Sequence, residues 1–140
     1  MELQVQGRFL VTEDEELIDN EHYNRCSVEQ VLAYLATLTE IQVDTETRGF
    51  DPHVDEVLSI QLGDDTGTNQ FLFPSTKEIM QLLKPILEDK SKLFVFQNAQ
   101  FDLRFFRHNG IIITRVYDTF LAECLLNTDK EGEELEVGLD

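Results

Sequence analysis

The chain has 140 residues, 41% apolar and 28% charged, which suits one domain with one core. Its longest apolar runs, residues 93–96 and 111–113, fall far short of the ~20 residues that span a bilayer, and the first residues lack a basic stretch followed by an apolar one, so neither a membrane anchor nor a signal peptide is expected. A formal charge of −17 argues against broad, sequence-independent attraction to phosphate, which draws on clustered Lys and Arg, although carboxylate-bound divalent metals can reverse the charge locally.

Residues 1–26 read as an N-terminal extension in which Val5, Phe9, Leu10 and Val11 suggest a short hairpin. Ser27-Val28-Glu29-Gln30 has the form of a capping box, and Val28, Val31, Leu32, Leu35 and Leu38 follow at helical spacing, which predicts an amphipathic helix over 28–38. Strands are expected from Ile41, over 57–62 and over 70–73, with turn chemistry at Gly63-Asp64-Asp65-Thr66-Gly67 and a stop at Pro74. Together they make an antiparallel meander of three strands. A helix capped by Ser75 or Thr76 should run to about Glu88, kinked or interrupted at Pro85. Residues 93–96 are apolar on both faces, the pattern of a strand covered on both sides. A helix over 101–108 stops at Asn109-Gly110, a short strand follows over 111–116, and a last helix over 119–126 starts behind Asp118. After Asn127 the pattern dissolves into acidic residues. The order predicts an α/β domain with a mixed sheet. Cys26 and Cys124 lack any CxxC or nearby His pair, which fits reduced thiols in a cytoplasmic protein.

Two constellations carry chemistry. Asp44 and Glu46 stand two residues apart on a strand, so both point to one face, and like charges this close call for a cation between them. Asp102 falls in the first turns of a helix that follows the apolar strand, where the helix dipole favours a carboxylate and where sites of open α/β sheets collect. Asn98 is placed to cap that helix or to bind a ligand.

With both constellations in view, Asp44-Thr45-Glu46-Thr47-Arg48-Gly49-Phe50-Asp51-Pro52 resembles the first motif of the DnaQ-like, or DEDD, 3′–5′ exonuclease superfamily. Gln97-Asn98-Ala99-Gln100-Phe101-Asp102 resembles its second motif, and Asp118-Thr119-Phe120-Leu121-Ala122 resembles the helix start of its ribonuclease D and family A polymerase proofreading branches. The resemblance covers roughly residues 27–127 as an exonuclease-like domain, leaving 128–140 as an acidic tail.

It implies a ribonuclease H-like mixed sheet and hydrolysis of single-stranded DNA or RNA from the 3′ end by two Mg²⁺ or Mn²⁺ ions ~4 Å apart. Asp44, Glu46 and Asp102 would be the catalytic carboxylates and metal ligands. Thr45 and Thr47, through backbone or hydroxyl, would contact the terminal nucleotide, Phe50 would wedge between the last bases, and Asn98 and Phe101 would line the substrate side. The family's third motif, Tyr-x-x-x-Asp or His-x-x-x-Asp, has no match: Tyr117, His22, His53 and His108 are followed four residues later by Leu121, Cys26, Val57 and Ile112. Asp118 matches a structural helix-capping position. Three readings therefore stay open. The domain is cut short at its C-terminus; or a partner chain or a polymerase domain completes it; or it is a catalytically inactive module that binds nucleic acid or protein. A shortened domain would leave apolar surface uncovered and favour self-association.

Overall fold

A computed structural model describes residues 7–13, 23–47 and 57–131. Chain order runs β1 (Gly7–Val11), β2 (Asn24–Cys26), α1 (Val28–Ala36), β3 (Glu40–Thr47), β4 (Val57–Gly63), β5 (Asn69–Pro74), α2 (Lys77–Leu87), β6 (Leu93–Phe96), α3 (Ala99–His108), β7 (Val116–Asp118) and α4 (Thr119–Glu131). The strands form one mixed sheet in the order β2-β1-β5-β4-β3-β6-β7. The expected α/β class and the antiparallel meander of β3, β4 and β5 are both present, with Asp44 opposite Gln61 and Gln61 opposite Leu72.

The residues around Ser27 form the predicted capping box: the Gln30 N–H donates to Ser27 Oγ at 3.2 Å and the Ser27 N–H to Gln30 Oε1 at 3.0 Å. α1 stops at Ala36, two residues before the apolar periodicity does. The carbonyls at its end and just beyond it are held by Lys92, a buried residue whose ammonium donates to Ala36 O at 2.9 Å and to Leu38 O at 2.5 Å. The positive charge sits at the negative end of the helix dipole, and the two carbonyls satisfy donors of a side chain that is itself buried. Lys92→Met is expected to lower stability by about 1–2 kcal/mol, because it removes two charge-assisted hydrogen bonds and the favourable charge at the end of α1. Urea unfolding checks this, and a loss below about 0.5 kcal/mol would remove Lys92 from the account.

α2 passes through Pro85 and continues to Leu87 rather than breaking. Pro85 lies in the final turn, and both Pro85 and Gln81, whose carbonyl loses its partner, are exposed, so water can replace the missing bond. Three further expectations differ from the structure. β1 does not form a hairpin. It runs parallel to both β2 and β5, and Phe9 stacks on Phe71 with ring centroids 5.1 Å apart, so core burial rather than a tight turn chooses its partners. Val5 lies outside the described residues. The last strand is Val116–Asp118, not 111–116, because those residues pair with Phe94–Phe96; Ile111 and Ile113 are buried beside the sheet without joining it. β6 is fully buried only through Phe94 and Phe96, while Leu93 and Val95 are half-buried.

The core lies on one face of the sheet. Ile41, Val43, Ile60, Leu62, Phe71 and Phe73 pack there against Val31 and Leu35 of α1 and Leu83 and Leu87 of α2. Each of these side chains contributes roughly 1.5–3 kcal/mol on burial. The alternating residues Gln42, Asp44 and Glu46 of β3 remain exposed on the other face. At the β7 end, Ile112, Tyr117, Leu121, Leu125 and Leu126 are exposed. Among the described residues no helix is long and apolar enough to cross a membrane.

Candidate metal and nucleic-acid site

β3 and β6 run parallel, with Gln42 opposite Val95, so the chain leaves both strands at the same end of the sheet. Asp44 and Glu46 occupy that end of β3, and α3 starts three residues after β6. This brings Asp102, in the first turn of α3, to β3. Thr45 points to the buried side and donates its hydroxyl to Asp102 Oδ1 at 2.6 Å across 57 residues of sequence, so both partners are buried. Asp44 Oδ1 accepts the Thr45 N–H at 3.0 Å. Burial pushes the Asp102 carboxyl up from its ordinary 3.8 to about 6; the charges of Asp44, Glu46 and Asp118 push the same way, and the Thr45 hydroxyl opposes them.

The donor set suits a hard divalent cation, and concentrated negative charge around Asp102 is the condition such an ion relieves. The fit is one of chemistry rather than of a finished cage. Among the described residues no group of three or more His, Cys, Asp or Glu side chains is drawn together to hold an ion. Asp102 lies on the buried side with Thr45, whereas Asp44 and Glu46 are exposed.

Asn98 adopts a left-handed conformation, φ 62°, uncommon outside glycine and tolerated best by Asn and Asp. Its side chain does not cap α3. That end of α3 is held by Asp118, which accepts the Asn98 N–H at 3.0 Å and the Ala99 N–H at 2.8 Å. The same carboxylate accepts the N–H groups of Phe120 at 3.0 Å and Leu121 at 3.3 Å. The expected helix-capping role of Asp118 is thus present, and a second one at α3 accompanies it. The Asn98 side-chain oxygen is buried and has no hydrogen-bond partner among the described residues, which leaves it available to a donor on a ligand.

Beside Asp44 the open sheet face forms a groove of about 430 Å³ lined by Gln42, Gln61, Gln70, Gln97 and Thr119 among others. Gln61 donates to Gln70 Oε1 at 2.8 Å. Sequence reasoning did not single out these glutamines; the polar alternation of β4 was the available signal for Gln61. A larger and mostly apolar groove, about 640 Å³, lies between α3, residues 111–113 and α4. Phe101 is half-buried, its ring 5.1 Å from that of Phe105. The Thr45 hydroxyl is turned to Asp102 rather than to the open face. The Thr47 side chain and Phe50 lie outside the described residues.

The chain matches the 3′–5′ exonuclease family over residues 23–140. No curated protein matches it. Among solved structures, the catalytic core of RRP6 from Trypanosoma brucei superposes on 85% of this chain and 30% of its own length, at 23% identity and a TM-score of 0.63. Escherichia coli RNase D, an exoribonuclease involved in structured RNA processing, covers 91% of this chain and 34% of its own, at 19% identity and a TM-score of 0.60. Brucella melitensis NrnC with bound Mg²⁺ covers 89% and 55%, at 22% identity and a TM-score of 0.59. At these identities the likeness is one of fold, the ribonuclease H-like exonuclease fold. The chain spans about a third of the first two structures and about half of the third.

Proposed function

The chain belongs to the 3′–5′ exonuclease family, and from that premise we propose that it carries the metal-binding and substrate-facing part of a site that hydrolyses single-stranded nucleic acid from the 3′ end. The observation that supports this reading is that α3 brings Asp102 to the end of β3 that carries Asp44 and Glu46, near enough for their charges to act on it, with Asp44 lining an open polar groove. Asp44, Glu46 and Asp102 would hold Mg²⁺ or Mn²⁺, which when bound supplies activation of water and neutralisation of the leaving oxygen. Asn98 offers its unpartnered carbonyl oxygen to a hydroxyl or amino donor of the terminal nucleotide. Gln61 and Gln97 offer amides to phosphate or base along the groove. Thr47, Phe50 and Phe101 complete the proposed contacts, with Phe50 stacking on a base. The Thr45 hydroxyl donates to Asp102, so its proton serves the carboxylate, while its backbone and its hydroxyl lone pairs are what it offers the nucleotide.

The test is incubation of the chain with 5′-labelled single-stranded RNA and DNA in Mn²⁺ or Mg²⁺, beside Asp44→Ala. Stepwise shortening from the 3′ end is expected, reduced roughly 100-fold or more in the variant. Binding of the oligonucleotide with no Asp44-dependent shortening would support the inactive binding module instead. The RNA and DNA arms decide the sugar, which a contact to the 2′-hydroxyl would discriminate.

A further inference from the structure

We propose that Thr45 is a positioning residue for Asp102, its hydroxyl fixing that carboxylate as a ligand. The inference deepens the metal-site reading above and rests on it.

Thr45 occupies an inward-facing place on β3, in the alternation that buries Ile41 and Val43. An aliphatic β-branched residue is the default there, since a buried hydroxyl is costly without a partner. The partner is Asp102 Oδ1, at a distance of 2.6 Å that belongs to a charge-assisted bond. Among the described residues it is the hydrogen-bond donor that Asp102 has, and it engages one carboxylate oxygen only. The bond also ties the middle of the strand motif to the first turn of α3. The position of Asp102 relative to Asp44 and Glu46 is therefore set by a residue lying between those two in sequence, on the opposite face. Outer partners of ligating carboxylates hold the ligand's orientation, and their removal typically costs 10- to 100-fold in metal affinity.

The experiment measures Mn²⁺ affinity by titration calorimetry on the full chain, with thermal unfolding in EDTA as a second readout. Thr45→Val, near in shape but without the hydroxyl, should bind Mn²⁺ about 10- to 100-fold more weakly. Thr45→Ser should restore affinity to within about threefold of the original, a rescue that packing alone would not produce. Asp102→Asn serves as the reference. Full affinity in Thr45→Val together with a loss in Asp102→Asn overturns the Thr45 inference and leaves the metal site standing. Unchanged affinity in Asp102→Asn overturns the metal-site reading itself. Equal losses in Thr45→Val and Thr45→Ser make the residue a packing element and also overturn the inference. Should Thr45→Val not fold, Thr45→Ala set against Thr45→Ser makes the same comparison.

Discussion

Asp102→Asn is expected to raise the stability of the metal-free chain at neutral pH while it removes the proposed Mn²⁺ binding and nuclease activity. The side chain is buried, and its carboxyl titrates near 6 in the folded state against 3.8 as its ordinary value. Above that pH the folded protein holds a charge that burial and three neighbouring carboxylates oppose. At 1.36 kcal/mol per pKa unit, and discounting for solvent screening, the cost is roughly 2 kcal/mol. Asn keeps an oxygen to accept the Thr45 hydroxyl and discards the charge. A gain of roughly 5 °C in Tm is the expected size.

The sign with pH follows from the direction of the shift. A carboxyl whose folded pKa is raised binds its proton more tightly in the folded chain, so folding is favoured below the unfolded pKa. That advantage is lost as pH rises through about 6. Metal-free stability should therefore fall between about pH 4 and pH 6, and Asp102→Asn should flatten that slope. Urea unfolding at pH 5 and pH 7.5 measures both. Lower stability of Asp102→Asn than of the original chain at pH 7.5 would contradict the picture of a site held under electrostatic stress, the usual trade between stability and function.

The second large effect belongs to Asp118. Its carboxylate accepts the backbone N–H groups of Asn98, Ala99, Phe120 and Leu121, and so closes the N-terminal ends of α3 and α4 together. Each cap lost to alanine costs about 1 kcal/mol, and buried amides left without an acceptor add to that, so Asp118→Ala should destabilise the chain by about 2–4 kcal/mol. Asp118→Asn should recover part of it, because one oxygen remains to accept. Hydrogen exchange locates the effect. The amides of Asn98 and Ala99 should lose protection in Asp118→Ala more than those of α1 do. A loss of stability below about 1 kcal/mol would show that the two helix ends are held by other means. The same bonds help keep Asn98 in its left-handed conformation, with its side-chain oxygen buried and unpartnered, so the proposed nucleic-acid affinity should weaken with them.

Much of the candidate site is legible in the sequence. The alternation around Asp44 and Glu46 depends only on the two-residue period of a strand, and the capping box at Ser27 only on spacing along one helix. The two exonuclease motifs were legible for the same reason: each is a run of adjacent residues. The family match over residues 23–140 agrees with them. Of the kink or interruption expected at Pro85, the interruption does not occur, because its cost depends on where the proline sits in the helix and whether water reaches the orphaned carbonyl. The expected strand over 111–116 failed because strand identity belongs to a pair, and β6 had only Phe94–Phe96 to offer it.

What the sequence by itself determined, then, is the α/β class, the meander, the helix starts and the three acids of the two motifs. What only the tertiary structure decided is which of their atoms meet. The Thr45 hydroxyl finds Asp102 across 57 residues, and the Asp118 carboxylate reaches back 20 residues to Asn98. β1 joins β5 as a parallel neighbour on the strength of buried rings. The physical reason is common to all of them. Periodicity and capping are local and are written in neighbouring residues. A buried hydrogen bond or a parallel register gains its energy only when distant segments close together and exclude water, and no spacing along the chain records that closure.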